Sequence, residues 1–183
     1  MHTSLRNHFL ISMPSLVDGS FAHSVTYLCE HDHQGAMGII INHPLKLTLG
    51  NIFTQLNIDG TNHSNAPVLS GGPVQTDRGF VLHSSGERWQ SIVAISPEIS
   101  LTTSRDILDD VAANRGPSHC LVALGYAGWS AGQLEHELAG NAWLTCPAST
   151  NIMFNTPFEQ RINSALALMG IDIGRLSSQA GHA

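Results

Sequence analysis

The chain has 183 residues, 42% hydrophobic and only 12% charged, with a formal net charge of −6. It is long enough to bury the core of one domain and too apolar for a disordered chain. Its eight Lys and Arg residues, against fourteen Asp and Glu, form no run; direct nucleic-acid binding is disfavoured, because phosphate contacts need clustered positive charge. The N-terminus has neither the basic start nor the apolar core of a signal peptide, and no run approaches the ~18 apolar residues that span a bilayer. A soluble cytoplasmic protein, with no membrane contact, is expected. Cys29, Cys120 and Cys146 are odd in number and lack C-x-x-C spacing, so buried free thiols are expected.

In chain order, residues 7–13 (Asn-His-Phe-Leu-Ile-Ser-Met) read as a strand ended by Pro14, with a loop over 15–24. Residues 25–29 alternate as a half-buried strand should, 30–35 form a polar turn, and the apolar run 36–42 completes a hairpin whose second strand is buried. Thr48 caps a short helix with Leu49, Ile52, Phe53 and Leu56 on one face. Strands are expected at 67–70 and 80–83, flanking a shaped loop over 71–79, and again at 91–95. Thr103 is expected to cap a second helix, through about Asn114, that buries Ile107, Leu108 and Val111. A strand follows at 120–126. Ser130 and Gln133 suggest a capping box for a third helix, carrying Leu134 and Leu138 and stopping at Gly140. Strands at 143–146 and 152–154 precede a fourth helix, signalled by Thr156, Pro157 and Glu159 and striped with Phe158, Ile162, Ala165, Leu166 and Met169 before Gly170. From Ser177 onward the chain reads as a loose tail. Without regular β-α alternation, these elements describe a single α+β domain over 1–183 with a mixed, largely antiparallel sheet and about four helices.

Two stretches carry the best case for binding. The loop contains Gly71, Gly72, Gln75, Thr76, Asp77 and Arg78. Ordering two glycines is costly, at roughly 1–2 kcal/mol per fixed residue. Their N–H groups, with Arg78, could cradle an anion, and Thr76 and Asp77 add polar contacts. The plain alternative is a tight connection capped by Asp77 or Thr76, with Arg78 paired to a carboxylate. The second stretch is the helix start at 102–106, where Thr103, Ser104 and Arg105 would add donors to free backbone N–H groups; its plain alternative is capping by Thr103. If the two converge, Arg78 and Arg105 bring two guanidinium groups to one phosphate or carboxylate site.

Other motifs are weaker. Residues 128–132 satisfy G-x-S-x-G between a strand and a helix, with Asp172 and His182 later in triad order. Ser130 already has a capping role, however, and the chain lacks the repeated β-α units of a hydrolase sheet. Asp77 and His83 are a second reactive pair to consider. His31-Asp32-His33 could face two imidazoles to one side of a strand, but a third ligand is not evident and solvated turn residues are the simpler reading. No metal and no cofactor is expected. Tyr126, Trp129 and Trp143 read as core or groove-lining aromatics.

Nine separated motifs occur in order: Asn-His-Phe-Leu-Ile-Ser-Met-Pro-Ser-Leu (7–16), Glu-His-Asp (30–32), Gly-Ala-Met-Gly-Ile-Ile-Ile-Asn (35–42), Gly-Gly-Pro-Val-Gln-Thr-Asp-Arg-Gly-Phe-Val-Leu-His (71–83), Leu-Thr-Thr-Ser-Arg-Asp (101–106), Leu-Gly-Tyr-Ala-Gly-Trp (124–129), Gly-Gln-Leu-Glu (132–135), Asn-Ala-Trp-Leu (141–144) and Ala-Gly-His-Ala (180–183). Together they closely resemble the AlgH (YqgE-like) family of bacterial proteins over essentially the whole chain. The resemblance implies a cytosolic α+β protein whose sheet curls into a small barrel surrounded by helices. It implies no agreed activity, ligand or cofactor; the family takes its name from a proposed role in regulating alginate production. His43 stands where Lys is frequent in the family, and position 130 tolerates Gly, Glu or Asp. The resulting expectation is a protein that binds a small anionic ligand or a protein partner and acts indirectly on transcription. The alternative is a hydrolase or transferase acting on a phosphorylated or acyl substrate.

Overall fold

A computed structural model describes residues 3–13, 21–84, 86 and 88–171. Among them are ten strands and five helices: β1 (His8–Ser12), β2 (Val25–Asp32), β3 (Gly35–Ile40), β4 (Pro44–Thr48), α1 (Leu49–Gln55), β5 (Pro67–Ser70), β6 (Val74–Ser84), β7 (Ile92–Ala94), β8 (Ile99–Thr102), α2 (Asp106–Ala112), β9 (Cys120–Ser130), α3 (Gln133–Ala139), β10 (Trp143–Pro147), α4 (Thr150–Asn155) and α5 (Arg161–Leu168). The sheet runs β10-β1-β2-β3-β9-β6-β8-β7 with every neighbour antiparallel; β5 joins β9 in parallel and carries β4 on its other side. It curls into a half-barrel. Arg6, just before β1, donates a hydrogen bond to the carbonyl of Ala94 on the far edge strand β7 at 2.5 Å.

β9 holds the two halves together. Cys120 to Leu124 pair with β6, and Ala127 to Ser130 pair with β3. Gly71 sits where β3, β5 and β9 meet: its N–H donates to Leu124 and its carbonyl accepts from Ile40, both at 2.8 Å. A Cβ there would lie 2.4 Å from the Gly125 oxygen, and at Gly72 (φ +154°) 2.1 Å from the Tyr126 carbonyl carbon. The glycine pair is there because backbone passes against backbone.

Side chains divide by strand parity. Phe9, Ile11, Tyr27, Ile39 and Leu82 pack on one face with Met153 of α4 and Leu166 of α5. On the other face, Val81, Trp89 and Val122 meet α1 and α2 through Phe53 and Ile107, while Leu10, Leu28, Trp129 and Trp143 meet Leu134 of α3. Each such side chain contributes about 1.5–3 kcal/mol on burial.

Several expectations need correction. The loop expected over 71–79 ends at Pro73, and residues 75–78 are an excursion of β6, the register jumping from Val74–Tyr126 to Gly79–Leu124. Thr103 caps nothing: α2 starts at Asp106 with Arg105 at its N-cap and no side-chain cap bond. Ser130 ends β9, and α3 begins three residues later behind Gly132 at φ +78°. Residues 152–154 are helical, in α4, because Ser149 caps them from three positions back. Pro157 begins a single 3-10 turn, Phe158–Gln160, before α5. β2 runs on through Asp32, so the hairpin turn is only His33 and Gln34. The loop over 15–20, the tail from Ser177, Asp172 and His182 lie outside the described residues.

Candidate functional site

A cavity of about 490 Å³ lies between α1, α2 and the sheet. Helix phase builds its apolar part. Thr48 and Asn51 cap α1 reciprocally, which seats Leu49 and Phe53 in the core and leaves Ile52 and Leu56 facing the cavity. In α2, Ile107 and Val111 are buried one turn apart while Leu108 lines the cavity. Phe80, Val122 and Leu124 supply the sheet side, and Asp77, Thr103, Ser104 and Arg105 supply polar groups.

The two predicted stretches therefore do converge, through Asp77 on one side and residues 103–105 on the other. Their arginines separate. Arg105 lines this cavity and donates to the Leu56 carbonyl at 2.5 Å. Arg78 lines a second cavity, of about 700 Å³, with Glu30, Tyr126 and Trp129; its guanidinium donates to Gln75 Oε1 at 3.3 Å and lies 5.2 Å from the Phe80 ring centre. Thr103 and Phe80 line both cavities. Ser104 is already engaged: its hydroxyl accepts from Ser91 N–H (3.1 Å) and donates to Asp106 (2.5 Å). Gly71 and Gly72 are buried, and the Gly71 N–H is taken by Leu124, which removes it as an anion donor. Gln75, at φ +47°, and Thr76 are exposed on the excursion. The lining missed in sequence is apolar. Its signal was present in Ile52, Leu56 and Leu108, which sit on the predicted helix faces.

His83 is fully buried beside this region. The Ser84 carbonyl can only accept, so Nδ1 donates to it (2.7 Å) and Nε2 accepts from the Thr102 hydroxyl (2.7 Å). Burial lowers the pKa of the ring and so favours this neutral form. Asp77, six residues earlier, is exposed and does not bond it. Ser130 is exposed; its hydroxyl donates to Gln133 Oε1 at 3.3 Å, and no histidine bonds it among the described residues.

His31 is not a solvated turn residue: it is 7% exposed, its Nδ1 accepts from Leu5 N–H (2.8 Å) and its Nε2 donates to Glu135 (2.5 Å). No group of three or more His, Cys, Asp or Glu among the described residues is placed to hold a metal ion. Trp129 and Trp143 both donate to Glu137 Oε1, at 3.0 and 2.9 Å. The three cysteines are free. No helix of the described residues is long and apolar enough to cross a membrane.

The profile of the AlgH-like family matches residues 9–174. The chain belongs to the AlgH-like family. A UPF0301 protein of Saccharophagus degradans is 54% identical over 181 residues, covering 98% of this chain and 89% of the relative. One from Thioalkalivibrio sulfidiphilus is 53% identical over 182 residues, covering 99% and 98%. The solution structure of the AlgH protein from Pseudomonas aeruginosa matches with a TM-score of 0.82 and 48% identity over the whole of both chains. A Corynebacterium diphtheriae protein solved by X-ray crystallography, 16% identical, shares the AlgH-like fold at a TM-score of 0.67 over 88% of this chain and 84% of that one.

Proposed function

We propose that this AlgH-like chain is a binding protein that takes an anionic ligand with an apolar body into the cavity between α1, α2 and the sheet. One observation carries the reading: the apolar side chains of α1, α2, β6 and β9 and the polar groups of Thr103 and Arg105 surround the same 490 Å³, a size and mixture typical of small-ligand sites. Arg105 uses one guanidinium N–H on Leu56 and has others for a carboxylate or phosphate. The three free cysteines fit a reducing, cytoplasmic setting. With a net charge of −6, any effect on transcription, of the kind the family resemblance implies, runs through a ligand or partner and not through DNA contacts.

The test is a thermal-shift and NMR screen with medium-chain carboxylates, sugar phosphates and nucleotides. Stabilisation that disappears in Arg105→Ala and persists in Arg78→Ala, whose side chain lines the other cavity, is the expected result. Equal loss in both variants, or none in either, refutes the assignment of this cavity.

A further inference from the structure

β6 is eleven residues long, but β8 covers only its last four, from Val81–Thr102 to Ser84–Ile99. The Ser84 N–H bonds to His119 on the β9 side, so alternation turns the odd residues Val81 and His83 towards β8. The same alternation turns the N–H and carbonyl of Gly79 to the side where β8 has ended. Among the described residues no backbone group bonds Gly79 there. It is exposed, and a Cβ added to it would meet nothing within 4 Å. An exposed strand edge with idle N–H and C=O groups is a template for another strand.

This open edge is also a wall of the 490 Å³ cavity, which Asp77 and Gly79 both line. A chain laid along β6 in the line of β8 runs into residues 103–105, where β8 turns away to α2, and has to end there. The end decides the direction. An ammonium terminus would meet the Arg105 guanidinium, whereas a carboxylate meets that guanidinium and the hydroxyl of Thr103, for which the structure gives no partner among the described residues. A carboxyl end at the turn makes the added strand parallel to β6. Asp77, in the excursion before Gly79, also lines the cavity and offers such a segment a carboxylate acceptor away from its carboxyl end.

We infer that the cavity takes the carboxyl end of an extended peptide. Its main chain pairs with Gly79, its last apolar side chain sits among Ile52, Leu56 and Leu108, and its terminal carboxylate bonds Arg105 and Thr103. The inference rests on the reading of this cavity as the binding site and names the ligand class.

The experiment is fluorescence polarisation of the full chain with labelled hexapeptides ending in Leu, Val or Phe. Each is made as the free acid, as the C-terminal amide and as a set N-methylated at one peptide bond at a time. Free acids are expected to bind and to lose about tenfold in affinity on amidation and in Arg105→Ala. One position of the N-methyl scan should lose a similar factor, which tests strand pairing without altering the protein, and Arg78→Ala should bind as the wild type does. Equal affinity for acid and amide, or an N-methyl scan with no sensitive position, overturns the inference. So does absence of binding up to about 1 mM peptide. In that last case, a medium-chain carboxylate such as octanoate, a sugar phosphate or a nucleotide that protects the wild type and not Arg105→Ala leaves the small-ligand reading standing, and no protection by any of the three classes removes both.

Discussion

Glu137→Ala withdraws the carboxylate that serves two buried indoles. Oε1 of Glu137 accepts from Trp129 (3.0 Å) and Trp143 (2.9 Å), and Oε2 accepts from Gln133 (2.9 Å). The indoles are 6% and 5% exposed, with ring centres 6.0 Å apart at 76° and Phe21 packed against both. A hydrogen bond to a charged acceptor is worth about 1.5–3 kcal/mol, and a buried donor left without one loses a similar amount. Glu137 is itself only half-buried, so water reaches part of the vacated space and the lower end of the range applies. Two indoles at that end give about 3 kcal/mol, and at roughly 2–4 °C per kcal/mol for a domain of this size the melting temperature falls by about 9 °C. The assay is thermal unfolding together with the indole N–H signals in a two-dimensional NMR spectrum. Of the three tryptophans, Trp129 and Trp143 should shift. Trp89 donates to Asp110 at 3.0 Å and should stay. Glu137→Gln keeps one oxygen acceptor and should recover much of the loss. A variant melting within about 2 °C of wild type, or a Trp89 signal that moves as far as the other two, refutes the reasoning.

Three further outcomes follow from groups already described. Because burial holds the pKa of His83 below its ordinary 6.5, the unfolded chain takes up a proton that the folded ring refuses. Stability present above pH 6.5 is therefore lost as pH falls below it, and urea midpoints between pH 5 and 8, which are expected to slope less in His83→Gln, check this. Gly72→Ala drives a Cβ to 2.1 Å from the Tyr126 carbonyl carbon, a clash with backbone that no side-chain rotation relieves; soluble yield and the circular-dichroism melt should both collapse, and a wild-type melt would overturn the account of the glycine pair. Burial raises the thiol pKa of Cys29, of Cys146 and of Cys120, the last to about 11, so a thiol reagent at pH 8 should label the native protein slowly and all three cysteines quickly in denaturant.

Where a local signal and the tertiary environment agreed, the elements were legible in the sequence. Thr48 with Leu49 and Phe53 is such a case: cap and apolar face name the same helix, and α1 is where they put it. So is the hairpin of β2 and β3, although the polar character of Glu30-His31-Asp32 hid that all three are paired strand residues, His31 finding its side-chain partners in Leu5 and Glu135. Residues 152–154 misled for a physical reason. A three-residue apolar run has no period of its own, and the deciding signal was the Ser149 cap outside it. Thr103 misled for another: β8 extends to Thr102 and the Thr103 N–H bonds Ser91, so the chain is still in strand geometry where a cap was expected. Of the candidate site, the polar residues were visible and their meeting was not. Asp77 and Arg105 come together only because β6 pairs with β8, and Arg78 leaves them because it borders the second cavity and not the first.

The position of β9 in the chain has a consequence for biosynthesis. Its eleven residues start at Cys120, yet they complete the pairing of β3, β5 and β6, all made far earlier, and β1 waits longer still for β10. As the ribosome extends the chain, the pairs β1–β2–β3, β4–β5 and β6–β8–β7 can form early, but their open edges on β3, β5 and β6 stay without their shared mate until more than half of the chain has emerged. Such non-local pairing slows folding and exposes strand edges to neighbouring chains in the meantime. Substitutions in β9 should therefore lower the soluble yield in cells by more than their cost to the finished protein would suggest.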